Sequence, residues 1–243
     1  MAKRAKRAAG TAKILEGRYK DFQDPQVFSA QLRGKAEQHL RIVGLDLGNS
    51  CGVAVLDLYP GVPLVDCPIY LGQWDLSLSR YDSGIISLLR LQAFITVCRP
   101  DFVAFEQPMF TPNIRGPRAA MLLQGAMRSQ SHISELAAAL MLWCHTHSVP
   151  YCAYTSTTIK RFATGKGNAS KEDMVNAAKS RLSVVFPDGS DAEEISNMVD
   201  AAFCGLLAFG QHRDGLASLA ALQMELPPEV LAAMNPIQEA EHD

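Results

Sequence analysis

The stretch Arg41–Leu58, RIVGLDLGNSCGVAVLDL, decides how the chain is read. Two apolar runs, Ile42–Leu47 and Val53–Leu58, flank Gly48-Asn49-Ser50, a tight-turn sequence, so the segment is a β-hairpin. One carboxylate, Asp46, sits inside the first run with apolar neighbours on both sides. A charge in a buried strand costs several kcal/mol, roughly, unless a partner or a metal offsets it. Asp46 therefore marks a site.

Working outward, a 243-residue chain with 48% hydrophobic residues has enough apolar matter for one sizeable globular core. Its longest nearly uncharged apolar runs, residues 136–144 and 201–209, are about ten residues, half of what a membrane span requires. The first residues, MAKRAKRAAGTAK, are basic with no apolar core behind them, so a cytosolic location is expected. Six scattered cysteines without a C-x-x-C pair read as small buried hydrophobes rather than zinc ligands. His145 and His147, two apart near a helix end, share a metal only if that segment is extended.

The net charge of −2 hides an asymmetry. Residues 1–20 carry seven Lys/Arg against one Glu, and residues 188–243 carry eleven Asp/Glu against one Arg. Residues 1–40 are read as a basic arm, suited to phosphate contact through counterion release or equally to being a solvated tail. The organisation expected is this arm, a domain over 41–212, and an acidic tail over 213–243.

Along the chain, a helix is expected near 25–39, then the hairpin, a strand near 68–74 and a helix over 83–98 stopped by Arg99-Pro100-Asp101. Phe102–Glu106 is a buried strand ending in an acid, which repeats the arrangement at Asp46. Residues 111–117 form a loop, and helices are expected over 118–130 and 132–147. A strand at 150–155 follows, then a short helix capped by Ser156 or Thr157 and running through Phe162. Ser170 and Asp173 make a capping box opening a helix to Leu182. A last helix runs from about 191 to 210. The order is mixed α/β with a central sheet.

Three carboxylates stand out: Asp46, Glu106, and Asp200 in SNMVDAAFCGLLAFG, a helix apolar enough to be buried. Mg²⁺ accepts one or two carboxylates while keeping waters and substrate phosphate oxygens. Asn197 and Glu193 precede Asp200 by three and seven residues on the same helical side, so either can complete a metal shell. The segment IKRFATGKGNASK adds Lys160, Arg161, Lys166 and Lys171, with Gly165 and Gly167 permitting close backbone approach to a phosphate.

Four blocks in this order, GLDLGNSCGVAVLD, FVAFEQPMF, IKRFATGKGNASKEDMV and NMVDAAFCGLLA, with a looser fifth at LLQGAMRS, resemble the RuvC-like Holliday junction resolvases, particularly phage and prophage versions. The resemblance spans roughly residues 41–210. It implies a ribonuclease-H-like fold, a homodimer, and an endonuclease that cuts opposed strands of branched DNA with Mg²⁺ or Mn²⁺, two ions per site. Carried over by position, it makes Asp46, Glu106 and Asp200 metal ligands, places Lys171 at the scissile phosphate and gives Lys160 a backbone contact. Arg161 and Lys166 join the DNA-binding set. Two positions depart from the family. Asn197 stands where the family has Asp or His, and Met109 stands where it has an aromatic wedge, with Phe110 one place later.

Two rival readings stay in view. The hairpin motif alone also fits an actin-like or sugar-kinase ATPase, but the chain has no second Gly-rich phosphate turn of the D-x-G-G-G kind. Asn197 leaves room for a non-catalytic relative that binds branched DNA.

Overall fold

The computed structural model describes residues 19–22, 39–59, 62–77, 84–108, 119–182, 186 and 192–225. Among them, six strands form one mixed sheet: β1 (Tyr19–Phe22), β2 (Leu40–Asp46), β3 (Ser50–Leu58), β4 (Ile69–Asp75), β5 (Phe102–Glu106) and β6 (Tyr151–Tyr154), in the order β1-β4-β3-β2-β5-β6. The expected hairpin is present: β2 and β3 are antiparallel, with Asp46 opposite Gly52. Strands β5 and β6 then run parallel to β2.

Side chains alternate across this sheet, so β2, β3, β4 and β5 feed two cores. Ile42, Leu56, Ile69 and Ala104 pack on one face against α3 (Ser156–Thr164), α4 (Lys171–Leu182) and α5 (Ala192–Glu225). Val43, Val55, Trp74 and Phe105 pack on the other against α1 (Ile85–Cys98) and α2 (Ala119–Thr146). Asp46 follows Ile42 and Gly44 in parity, and Glu106 follows Phe102 and Ala104. Both carboxylates therefore belong to the α5 face.

That face accepts a helix only because it lacks side chains where the helix crosses. A Cβ at Gly44 would lie 2.1 Å from the carbonyl oxygen of Ala201, and one at Gly52 would lie 2.1 Å from that of Asn197. The backbone of α5 thus rests directly on β2 and β3.

Several elements differ from the sequence reading. The helices expected over 118–130 and 132–147 are one helix, because the Ser131 hydroxyl donates to Glu135 Oε1 at 3.3 Å and that of Ser134 to the Gln130 carbonyl at 2.9 Å. Serines satisfied in this way do not break a helix. The last helix passes Gly210, where one exposed glycine costs only about 1 kcal/mol, and continues to Glu225, beyond the end expected near 210. Part of the basic arm is a strand, since Tyr19–Phe22 pairs parallel with β4. Thr155, rather than Ser156 or Thr157, caps α3, accepting from the Thr158 N–H at 3.3 Å. The helix expected near 25–39, except His39, and the loop at 111–117 lie outside the described residues.

The hairpin holds a second buried acid that the sequence reading passed over. Asp57 accepts from Arg41 Nε at 2.6 Å and from Nη2 at 2.9 Å, and Arg41 Nη1 donates to the Cys98 carbonyl at 3.1 Å. Its charge is offset by a paired guanidinium. Asp46, at the other end of the same sheet, faces carboxylates instead. All six cysteines are free thiols, five of them buried. Among the described residues no helix is long and apolar enough to cross a membrane.

Candidate metal centre and phosphate-binding surface

The parallel register of β2 and β5 pairs Ile42 with Phe102 and Leu45 with Phe105. One step further brings Asp46 beside Glu106 at the C-terminal ends of both strands. The crossing of α5 over Gly44 adds Asp200, the residue just before Ala201. Three segments distant in sequence thereby place three partly buried carboxylates within electrostatic reach of one another.

Their protonation reflects that crowding. Desolvation first, then Glu106 and Asp200, push the Asp46 carboxyl well above the ordinary aspartate range, with Lys171 opposing. Desolvation and Asp200 raise Glu106 to about 7, against a hydrogen bond from Ser156 and the charge of Lys160. Desolvation raises Asp200 to about 6, moderated by Lys160 and Lys171. Among the described residues, Asp200 Oδ1 is buried without a hydrogen-bond partner. Acids held in this way need a positive charge at neutral pH.

The donor set suits a hard divalent cation: three carboxylates, one with an orphaned oxygen, and no soft ligand among the predicted residues. Among the described residues no three His, Cys, Asp or Glu side chains stand in ready metal-holding geometry. The fit therefore lies in donor chemistry and the orphaned oxygen.

The basic segment divides in two. Lys160, half-buried on α3, and Lys171, at the start of α4, act on the carboxylates. Arg161 and Lys166 are exposed away from them, and Lys166 acts instead on Asp173, whose carboxyl is lowered chiefly by hydrogen bonds from the Ser170 backbone and hydroxyl. The predicted capping box is formed: Ser170 N donates to Asp173 Oδ2 at 2.9 Å and Asp173 N donates to Ser170 Oγ at 3.1 Å. The glycines have local jobs. Gly165 ends α3 with φ +81°, and a Cβ at Gly167 would lie 2.6 Å from the Thr157 methyl. Close approach to a phosphate is not what these two positions require.

Asn197 is on the α5 turn before Asp200, and its Nδ2 donates to the Ser50 carbonyl at 3.0 Å. Glu193 is exposed near the start of the helix, about 10 Å along the axis from Asp200. Met109 and Phe110 lie outside the described residues.

Two contributors escaped the sequence reading. Ser156 bonds Glu106, and nothing in the sequence pairs them, because β5 and α3 meet only in the fold. Arg181 Nη1 donates to the carbonyls of Phe162 at 2.6 Å and Ala163 at 2.9 Å, closing the last turn of the helix that carries Lys160. A cation near the end of the amphipathic α4 was the available signal.

The raised carboxyls make stability depend on pH with a definite sign. Folded Glu106 and Asp200 hold protons that the unfolded chain has released, so their contribution is full below about pH 4 and is lost as pH rises through about 6 and about 7. In chelator-treated buffer the melting temperature should fall between about pH 5 and about pH 8, more steeply in wild type than in Glu106→Gln. Parallel curves would mean that Glu106 titrates as an ordinary exposed acid.

No family model matches the chain, and no curated protein matches it. Among solved structures, it is similar to T. thermophilus RuvC in complex with Holliday junction substrate, at 20% identity and a TM-score of 0.51, covering 73% of this chain and 98% of that one. It is also similar to a second Thermus thermophilus RuvC structure, at 18% identity and a TM-score of 0.48, covering 70% and 97%. The mixed sheet flanked by helices on both faces, together with the match to the first of these over 98% of its length, gives this chain a ribonuclease-H-like fold similar to that of T. thermophilus RuvC.

Proposed function

We propose that the chain is a divalent-metal-dependent endonuclease that hydrolyses phosphodiesters of branched DNA, with four-way junctions as the substrate class. The observation that carries this reading is the meeting of Asp46, Glu106 and Asp200 with Lys160 and Lys171. The similar T. thermophilus RuvC structure is a complex with a Holliday junction substrate, which supports the choice of substrate here.

In this reading Asp46, Glu106 and Asp200 would hold two Mg²⁺ or Mn²⁺ ions. When bound, such ions lower the pKa of the attacking water and offset charge on the leaving 3′-oxygen. Lys171 faces the scissile phosphate and balances its charge, while Lys160 offsets the carboxylates and contacts the DNA backbone. Arg161 and Lys166 extend the phosphate contacts outward, and Phe110 is assigned to the junction opening. Ser156, which stands close enough to hydrogen-bond Glu106, would help orient it. Hydrolysis leaves 5′-phosphate and 3′-hydroxyl ends.

Two opposed cuts require two sites, so the proposal includes a homodimer. Ile85, Ile86 and Leu89, exposed on α1 away from its buried Leu91 and Ile95, offer the apolar surface for the second copy. The division into a basic arm, a nuclease domain and an acidic tail, the phage-type setting and a cytoplasmic location belong to the same proposal.

A Mg²⁺ titration on a labelled four-way junction, with linear duplex as control, tests the reading. Metal-dependent nicks confined to the junction are expected. Junction binding without cutting in either Mg²⁺ or Mn²⁺ would leave a non-catalytic relative. Thermal protection by ATP would instead revive the ATPase reading, in which Glu106 and the lysines have no task.

A further inference from the structure

We propose that Asn197 is a positioning residue: it clamps the turn of the β2–β3 hairpin to α5 and so sets where Asp46 stands relative to Asp200. The catalytic part of this inference rests on the nuclease reading; the clamp itself does not.

The orientation of the amide is fixed by chemistry. The Ser50 carbonyl can only accept, so the group facing it at 3.0 Å is Nδ2, the donor. The other holds on the turn come from the region of β4: Leu76 N donates to the Asn49 carbonyl at 2.9 Å, and Gln73 Nε2 donates to Ser50 Oγ at 2.5 Å. Asn197 supplies the tie to the helix that carries Asp200.

The backbone follows the same line. Asp46 stands opposite Gly52 in the hairpin, and a Cβ on Gly52 would lie 2.1 Å from the Asn197 carbonyl oxygen and 2.3 Å from its carbon. The Asn197 peptide therefore rests on the rung that holds Asp46, while its side chain reaches the turn two residues away. Asp200, three residues on, lies about one helical turn along. One turn of α5 thus touches the hairpin at both ends of the Asp46 segment.

The residue type follows from this job. An aspartate here would set an acceptor against the Ser50 carbonyl and add a fourth carboxyl to a site already crowded with three. An asparagine donates without charge. Where the resemblance leads one to look for a charged or imidazole ligand, this chain has the side chain that can hold its own turn.

Asn197→Asp, Asn197→Ala and Asn197→Gln separate this role from metal ligation. For Asp and Ala, kcat on a four-way junction should fall about tenfold or more, the effect typical of losing a partner that orients a ligand, with KM unchanged. Hydrogen exchange of the 46–52 amides should quicken, and calorimetric Mn²⁺ affinity should not rise in the Asp variant. Gln, which keeps an amide donor, should recover part of kcat. Tighter Mn²⁺ binding and faster cleavage by Asn197→Asp at low metal would overturn the proposal in favour of a ligand position. Unchanged exchange and kcat in Asn197→Ala would overturn it too. If the wild type cuts no junction, the nuclease reading fails by itself, and hydrogen exchange still decides the clamp.

Discussion

Asp46→Asn is expected to reduce junction cleavage by about 10³-fold or more while leaving junction binding nearly intact. Desolvation, Glu106 and Asp200 all raise the Asp46 carboxyl, which sets it within electrostatic reach of both other acids. In the proposed nuclease, removing its charge would weaken the hold on metals whose charge stabilisation is worth about several kcal/mol, and each 1.4 kcal/mol is about tenfold in rate. Binding to DNA should persist, because the residues proposed to contact it, Lys160, Arg161, Lys166 and Lys171, are untouched. The change also removes a desolvated charge from beside two like charges, and Asn has nearly the same shape. The melting temperature without metal should therefore stay level or rise, which separates a chemical defect from a folding one. Single-turnover cleavage, junction binding and thermal melting on one preparation decide the matter. Cleavage retained within tenfold would remove Asp46 from the metal centre.

Gly44→Ala should be among the most disruptive small changes in the fold. The added methyl would lie 2.1 Å from the Ala201 carbonyl oxygen and 2.9 Å from the Gly205 nitrogen, both backbone atoms of one helix. No side chain can rotate away, so α5 must lift by close to 1 Å. Overpacking of this kind costs about 3 kcal/mol, and a 1 Å misplacement of Asp200 costs about 10²-fold in rate. Gly210→Ala is the control. A Cβ there meets nothing within 4 Å, and the change should be neutral or stabilise α5 by up to about 1 kcal/mol. Urea denaturation of both variants, with cleavage under conditions where each stays folded, reads the contrast. Equal stability of the two would mean that α5 does not depend on close approach at Gly44.

The elements flanking the site were legible because their signals are local. The apolar run Ile42–Leu47, the turn at 48–50 and the capping box at Ser170 each depend on residues close together in the chain, and all three stand in the structure. Helix ends were less legible. Gly210 and Ser131 look like punctuation in sequence, but a solvent-facing glycine and self-bonded serines are tolerated within a helix. The buried pair of Arg41 and Asp57 was missed because both lie among apolar residues whose cross-strand partner is set by register. Gly165 and Gly167 received a phosphate-binding reading, whereas one answers to a backbone angle and the other to the Thr157 side chain.

By itself the sequence singled out the candidate residues: an acid in each of two apolar strands, an acid in an apolar helix, and a lysine-bearing loop between them. Those identities follow from the cost of placing charge in apolar surroundings, which is readable residue by residue. The tertiary structure alone decided which of them meet. Parallel registry sets Asp46 beside Glu106, two glycines let α5 lie close enough to bring Asp200, and Lys160 and Lys171 join while Arg161 and Lys166 do not. It also brings the Asn197 amide to the hairpin turn, where Nδ2 donates to the Ser50 carbonyl. Such assignments depend on distances between segments far apart in the chain, and backbone contacts at side-chain-free positions set those distances.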